Sequence, residues 1–94
     1  MKLTLEHDKK NRSFKAIVGQ EVAFLAYSLT SHPGTFNYHR TYVPPELRGQ
    51  GIGAALVKFA LDYAKENNYK IIPTCSFVKT FIEDHPAYKS IVAS

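Results

Sequence analysis

Hydrophobic and polar residues alternate along the first half of the chain in four short segments. Alternation with a period of two is typical of a strand that buries one face. The pattern predicts strands over residues 3–6, 14–18, 22–29 and 35–43. The last of these carries alternating aromatic residues at Phe36, Tyr38 and Tyr42, as expected for core and cleft-lining positions. Because the connections are short, we expect an antiparallel meander.

The second half of the chain begins with a change of period. Pro44 and Pro45 end the fourth strand, since proline donates no hydrogen bond to a neighbouring strand. Apolar residues then recur at spacings of three and four, which predicts a helix that lies on a sheet and ends near Asn67 and Asn68. The apolar positions are Ile52, Ala55, Leu56, Phe59, Ala60 and Tyr63.

Two further elements follow this helix. Residues 69–74 are predicted to form a fifth strand, which a helical crossover makes parallel to the fourth. Residues 76–83 predict a short last helix, capped by Ser76 and ended by His85-Pro86. The order ββββαβα indicates an α+β fold with a mixed, mostly antiparallel sheet. With 94 residues, 45% of them hydrophobic, we expect a single domain over residues 1–94.

The loop between the fourth strand and the long helix contains the candidate ligand site. Glycines bring backbone N–H groups close to a partner, and the first N–H groups of a helix have no acceptor within it. The helix dipole adds partial positive charge, so this position favours an anion such as a pyrophosphate. Arg48 adds a permanent cation. The loop reads Arg48-Gly49-Gln50-Gly51-Ile52-Gly53.

Glycine spacing separates three kinds of phosphate-binding loop. A P-loop needs Gly-Lys-Ser/Thr, whereas Ala54 follows Gly53. The dinucleotide pattern G-x-G-x-x-G/A is matched by Gly49, Gly51 and Ala54, but the acid that this fold places about 20 residues later is missing. The pattern Arg/Gln-x-x-Gly-x-Gly/Ala fits, with Arg48 at its first position and Gly51 and Gly53 at its last two glycine positions.

This loop, with Val43-Pro44 before it and a helix after it, resembles the acyl-CoA loop of the GNAT acetyltransferase superfamily. The predicted element order is similar to the central and C-terminal part of that fold without its N-terminal helices. Residues 73–78 and the pattern His85-Pro86-x-Tyr88 resemble the small YjdJ-type GNAT-like proteins. Arg40 stands where that group has a histidine, so the resemblance assigns no role to this position.

The resemblance implies an N-acetyltransferase that binds acetyl-CoA and transfers its acetyl group to an amine-bearing small molecule or protein. Val43 would pair its main chain with the pantetheine arm of the cofactor, as an added strand does. The main chain of the loop would hold the pyrophosphate, through Arg48, Gly49, Gln50, Gly51, Ile52 and Gly53. An alternative of a different class is an acyl-CoA-binding or sensor module without turnover. An RNA-binding domain is a third hypothesis, which no RNA-binding signature supports.

Three residues are candidates for catalysis, each with a structural alternative. Cys75, at the end of the predicted fifth strand, would lie near the thioester and accept or help to transfer the acetyl group, or it is a small apolar core residue. His85 is a candidate general base, and Tyr88 a candidate donor to the CoA thiolate. The alternative for this pair is a His-Pro helix stop followed by a tyrosine packed on the core.

Composition excludes several other classes of protein. The net charge of +4 is modest, and the only basic cluster, at residues 9–12, is predicted to be a hairpin turn, so we expect no nucleic-acid partner. The spacing of the four histidines and one cysteine predicts no metal site. The chain contains no apolar run long enough to span a membrane, and a lone cysteine suits a reducing compartment. We therefore expect a cytoplasmic protein, monomeric or weakly dimeric.

Overall fold

The computed structural model describes residues 2–93, which form one five-stranded sheet with two α-helices. In chain order the elements are β1 (Leu3–Asp8), β2 (Ser13–Val18), β3 (Glu21–Leu29), β4 (Thr35–Tyr42), α1 (Ile52–Glu66), β5 (Lys70–Ile72) and α2 (Ser76–Asp84). The predicted α+β order ββββαβα is confirmed. None of the helices in this part of the chain is both long and apolar enough to cross a membrane.

The strands follow one another across the sheet in the order β1-β2-β3-β4-β5. The first three pairs are antiparallel, and β5 is parallel to β4, as predicted. The three residues of β5 pair with Thr35, Phe36 and Asn37 at the beginning of β4. Beyond this point the Cys75 N–H donates to the Tyr38 carbonyl at 3.0 Å, and the chain then turns into α2. The second half of β4 is therefore separated from β5.

The core lies between one face of the sheet and α1. Alternate residues of β2 and β3 point to this face, which we call the inner face, and small side chains at Ala16 and Ala23 let the helix approach closely. The hydroxyl of Tyr38, on the same face of β4, donates to the carbonyl of Ala60 at 2.9 Å and fixes the helix to the sheet. The helix residues that become fully buried are Leu56, Val57, Ala60, Leu61 and Ala64.

A β-bulge in β4 changes which side chains reach the inner face. Tyr38 pairs with Tyr27, whereas Arg40 pairs with Ala26, so His39 is an extra residue on β4. The alternation of aromatic residues consequently breaks after Tyr38. Tyr42 lies on the outer face, where its ring is 5.7 Å from that of Phe24. The extra residue places Thr41, which pairs with the buried Leu25, on the inner face.

Two 3-10 helices were not predicted from the sequence. One covers Pro45–Leu47 and the other Pro86–Ile91, and each begins with a proline, which lacks the N–H that the first turn of a helix leaves unpaired. The second returns the chain to the sheet, where Val92 forms a parallel bridge with Ile71 and the Ala93 N–H donates to the Ile71 carbonyl at 2.9 Å. The fifth strand is also shorter than the predicted 69–74.

The two isoleucines of β5 provide a matched test of this arrangement. Ile71 is fully buried and Ile72 is 39% exposed. We expect Ile71→Ala to lower the free energy of unfolding by about 2–5 kcal/mol, because it leaves a cavity in the core. Ile72→Ala should cost less than about 1 kcal/mol. Urea unfolding followed by circular dichroism measures both, and equal losses would contradict the orientation of β5.

Candidate functional site

The loop after β4 is shaped by one buried leucine and two glycines. Leu47, 3% exposed, anchors the short 3-10 helix to the core, and its N–H donates to the Pro44 carbonyl at 2.9 Å. The chain then turns through Gly49 and Gly51, whose φ angles are +79° and +77°. L-residues with a side chain rarely adopt such values, so glycine is favoured at both positions. Gly51 is the N-cap of α1.

The beginning of α1 presents free hydrogen-bond donors. The N–H groups of Ile52, Gly53 and Ala54 have no acceptor among residues 2–93, and the N-cap makes no side-chain bond. Their partial positive charge adds to that of the helix dipole. No acidic residue lies in the first turn of α1. This geometry suits an anion with several oxygen acceptors.

Two side chains stabilise the loop through hydrogen bonds to the main chain. The Arg48 Nε–H donates to the carbonyl of Val43 at 2.9 Å, and the Gln50 Nε2 donates to the carbonyl of Glu46 at 3.0 Å. Arg48 thereby links the helix start to the residue that follows β4. A loop held in this way loses little conformational entropy when it binds a ligand.

A groove of about 350 Å³ runs along this loop. Six of the seven predicted cofactor-binding residues line it, namely Val43, Arg48, Gly49, Gly51, Ile52 and Gly53. Gln50 does not, because its side chain is turned towards Glu46. Leu47, Ala54 and Phe77 also line the groove and were not predicted from the sequence.

The absence of a side chain at Gly53 explains how Phe77 comes to border the groove. A Cβ atom at Gly53 would lie 3.0 Å from Cζ of Phe77 and 3.3 Å from Cγ2 of Val43. Glycine therefore lets the first turn of α2 and the end of β4 meet over the first turn of α1. The Phe77 ring remains 45% exposed. No motif or spacing in the sequence indicates this contact, since Phe77 and Gly53 are 24 positions apart.

Cys75 lies where β4 and β5 separate. It is the N-cap of α2, is half-buried, and its Sγ is 3.5 Å from Oγ1 of Thr41. Burial acts to raise the pKa of this thiol, but hydrogen bonds from the Thr41 hydroxyl and from the N–H groups of Val78 and Phe77 outweigh it, so the pKa is lowered. Thr41 reaches the thiol because the bulge at His39 turns it to the inner face.

The other two catalytic candidates make different contacts. The Tyr88 hydroxyl donates to Oδ1 of Asp62 on α1 at 2.6 Å, and its pKa is raised by burial and by that carboxylate. The His85 Nδ1–H donates to the Phe81 carbonyl at 2.8 Å, and its ring stacks on Phe81 with centroids 4.0 Å apart. These contacts hold Tyr88 against α1 and His85 at the end of α2, whereas Cys75 contacts β4.

Arg40 lies apart from the glycine loop and Cys75. The Arg40 guanidinium lies 5.5 Å from the centroid of the Phe24 ring on the outer face of the sheet. Within residues 2–93, no three His, Cys, Asp or Glu side chains are grouped closely enough to hold a metal ion.

Comparison with known proteins gives the site its family context. Residues 13–91 match the family model described as GCN5-related N-acetyl-transferase. Protein NATD1 of Danio rerio is 32% identical over 87 residues, covering 90% of this chain and 78% of its own. An uncharacterised N-acetyltransferase of Archaeoglobus fulgidus is 37% identical over 75 residues, covering 74% of this chain and 51% of its own.

A solved structure leads to the same family. The solution structure of a GCN5-like protein from Staphylococcus aureus superimposes with a TM-score of 0.74 at 30% identity, covering 98% of this chain and 89% of that one. The glycine loop, the separated β4 and β5 and the matched family model all agree with the resemblance that the sequence motifs predicted. The chain belongs to the GCN5-related N-acetyltransferase family.

Proposed function

We propose that this protein binds acetyl-CoA and transfers its acetyl group to an amine. The observation that carries the proposal is the set of N–H groups at Ile52, Gly53 and Ala54, which have no acceptor within residues 2–93 and follow the left-handed turns at Gly49 and Gly51. The main-chain N–H groups of residues 49–53 would donate hydrogen bonds to the cofactor pyrophosphate, whereas the N–H of Arg48 already donates to the Pro45 carbonyl at 3.3 Å. Arg48 adds long-range attraction for the phosphates.

The pantetheine arm would extend from this loop along the second half of β4. That half of the strand has no pairing with β5, so an extended chain can lie beside it as an added strand. The Val43 carbonyl already accepts a bond from Arg48 and retains a second lone pair for the pantetheine amide. The thioester would then lie near Cys75, where the two strands separate.

The proposed chemistry proceeds through Cys75. Its thiolate would attack the thioester carbonyl, the bond from that carbon to the CoA sulfur would break, and the departing CoA thiolate would take up a proton from water. A neutral amine would then attack the new thioester, the Cys75 sulfur would leave as thiolate, and the amide nitrogen would give up its extra proton to water. The lowered pKa of Cys75 supports this role, because it raises the fraction of thiolate.

One observation favours the alternative of an acyl-CoA-binding module without turnover. Tyr88, the candidate proton donor, is bonded to Asp62, and His85, the candidate general base, is bonded to the Phe81 carbonyl. The release of free CoA in the presence of a polyamine or a lysine-containing peptide separates the two functions. Release identifies the enzyme, and saturable binding without release identifies the module. A cytoplasmic location, which keeps Cys75 reduced, is part of either proposal.

Two glycine substitutions test the cofactor loop. Gly51→Ala and Gly19→Ala each place a side chain at a positive φ, and no atom beyond the adjacent residues lies within 4 Å of the new Cβ. Each should cost about 1–2 kcal/mol of stability. We expect only Gly51→Ala to weaken acetyl-CoA binding, by about tenfold, which corresponds to the loss of one hydrogen bond to a charged group. Isothermal titration calorimetry measures the affinity.

Amide NMR supplies the control for this prediction. Acetyl-CoA should shift the amide signals of Gly51 and Gly53 in the wild-type protein and leave that of Gly19 in place. If folded Gly51→Ala bound acetyl-CoA as tightly as Gly19→Ala, the loop would not be the pyrophosphate site.

A separate pair of variants tests Cys75. We expect Cys75→Ala to lower the rate of acetyl transfer by about a hundredfold or more with little change in acetyl-CoA affinity. Thr41→Val removes a hydrogen bond to the thiolate, so the pKa of Cys75 should rise. The pH range over which the rate of acetyl transfer increases should therefore move to higher pH.

Intact-mass spectrometry after incubation with acetyl-CoA distinguishes two roles for this thiol. One added acetyl group in the wild type, absent in Cys75→Ala, supports the covalent intermediate. An unchanged mass with a slow Cys75→Ala variant would indicate direct transfer that the thiol only assists. An unchanged mass with a fully active Cys75→Ala variant would mean that Cys75 is a core residue without a catalytic part.

A further inference from the structure

A second cavity, of about 200 Å³, lies at the opposite end of α1 from the glycine loop. Its walls are six aromatic side chains, Phe14, Tyr27, Phe36, Tyr38, Tyr63 and Tyr69. His7 and Lys9 complete the lining. The cavity therefore lies between the inner face of the sheet and the C-terminal half of α1.

This cavity is distinct from the acetyl-CoA groove. Phe36, at the start of β4, is seven positions before Val43, a separation of about 23 Å along a strand. Tyr63 is ten positions after Gly53, or about 15 Å along the helix. None of the eight residues that line the cavity lines the groove.

The aromatic walls select a flat ligand. Phe36 and Tyr69 meet edge to face with centroids 4.8 Å apart, and His7 stacks on Phe14 at 4.3 Å. Aromatic side chains arranged in this way favour the binding of an aromatic ligand, whose ring can stack on them or meet them edge to face. An apolar cavity of about 150 Å³ can hold benzene, and binding sites for drug-sized molecules begin at about 300 Å³. The space fits one ring with a small substituent.

The polar groups of the cavity select the substituent. His7 Nε2 and the Tyr27 hydroxyl form a hydrogen bond of 2.7 Å, while His7 Nδ1 is buried without a partner among residues 2–93. This nitrogen is enclosed by the protein and is not accessible to a ligand. Lys9, which is exposed, supplies a cation, and no carboxylate lines the cavity. This charge distribution favours an anion over an amine.

We propose that this cavity binds a small planar aromatic carboxylate of the size of benzoate. The ring lies among Phe36, Tyr63 and Tyr69, and the carboxylate lies towards Lys9. The proposal stands independently of acetyl transfer, because it uses none of the residues assigned to the cofactor.

Fluorine NMR of the full chain tests the ligand class with three probes of one shape. These are the anion 4-fluorobenzoate, neutral 4-fluorobenzamide and the cation 4-fluorobenzamidine, each a ring with one small planar substituent. We expect 4-fluorobenzoate to bind saturably with a dissociation constant of about 1 mM, as suits a ligand of this size, and the other two to bind more weakly. Binding of 4-fluorobenzoate should shift the amide signals of Tyr63 and Tyr69, and saturating acetyl-CoA should not displace 4-fluorobenzoate.

Three variants locate the site. Lys9→Gln should weaken 4-fluorobenzoate binding about two- to fivefold, because an exposed charge contributes modestly. Lys10→Gln, the matched control from the same turn, should leave it unchanged, since Lys10 does not line the cavity. Phe36→Trp should fill the space and abolish binding. If Phe36→Trp fails to fold, the pair of lysine variants decides the location.

Four results would overturn the proposal. They are no saturable binding of 4-fluorobenzoate up to about 10 mM, a preference for the cationic probe, equal binding to Lys9→Gln and Lys10→Gln, and undiminished binding to a folded Phe36→Trp.

Discussion

The burial of α1 against the inner face of the sheet determines the positions of both cavities. Its apolar stripe excludes water from the core, and the bond from the Tyr38 hydroxyl to the Ala60 carbonyl fixes the helix along β4. Because the helix is held at its middle, its N-terminal N–H groups are presented beside the end of β4. Its C-terminal half closes over the aromatic residues of β2, β3 and β4. One helix thus presents N–H donors at one end, beside the glycine loop, and covers a cluster of aromatic side chains at the other.

The elements that could be predicted from the sequence are those with a local cause. The apolar stripe of α1, the alternation in β2 and β3, and the prolines at 44 and 45 depend on neighbours in the chain. The glycine loop belongs to this group, since the glycines of its six-residue motif themselves indicate the backbone conformation. Six of the seven residues assigned to cofactor binding line the groove for this reason.

The features that the sequence did not predict depend on contacts between distant segments. The bulge at His39 is visible only when β3 is paired with β4, yet it decides that Thr41 faces Cys75. Phe77 borders the groove because Gly53, far away in sequence, has no side chain. The partner of Tyr88 is a carboxylate on α1 with no sequence spacing to suggest it. Such pairs arise from tertiary structure, which periodicity does not report.

The bridge between Val92 and Ile71 covers part of the edge of the sheet at β5. An edge strand with unpaired N–H and C=O groups is a template for strand addition and aggregation. On the β5 side, the strand is three residues long and the returning C-terminal segment already occupies one of its carbonyls. Val92 and Ala93 thus cover part of this border, which leaves less of it open to strand addition by another chain.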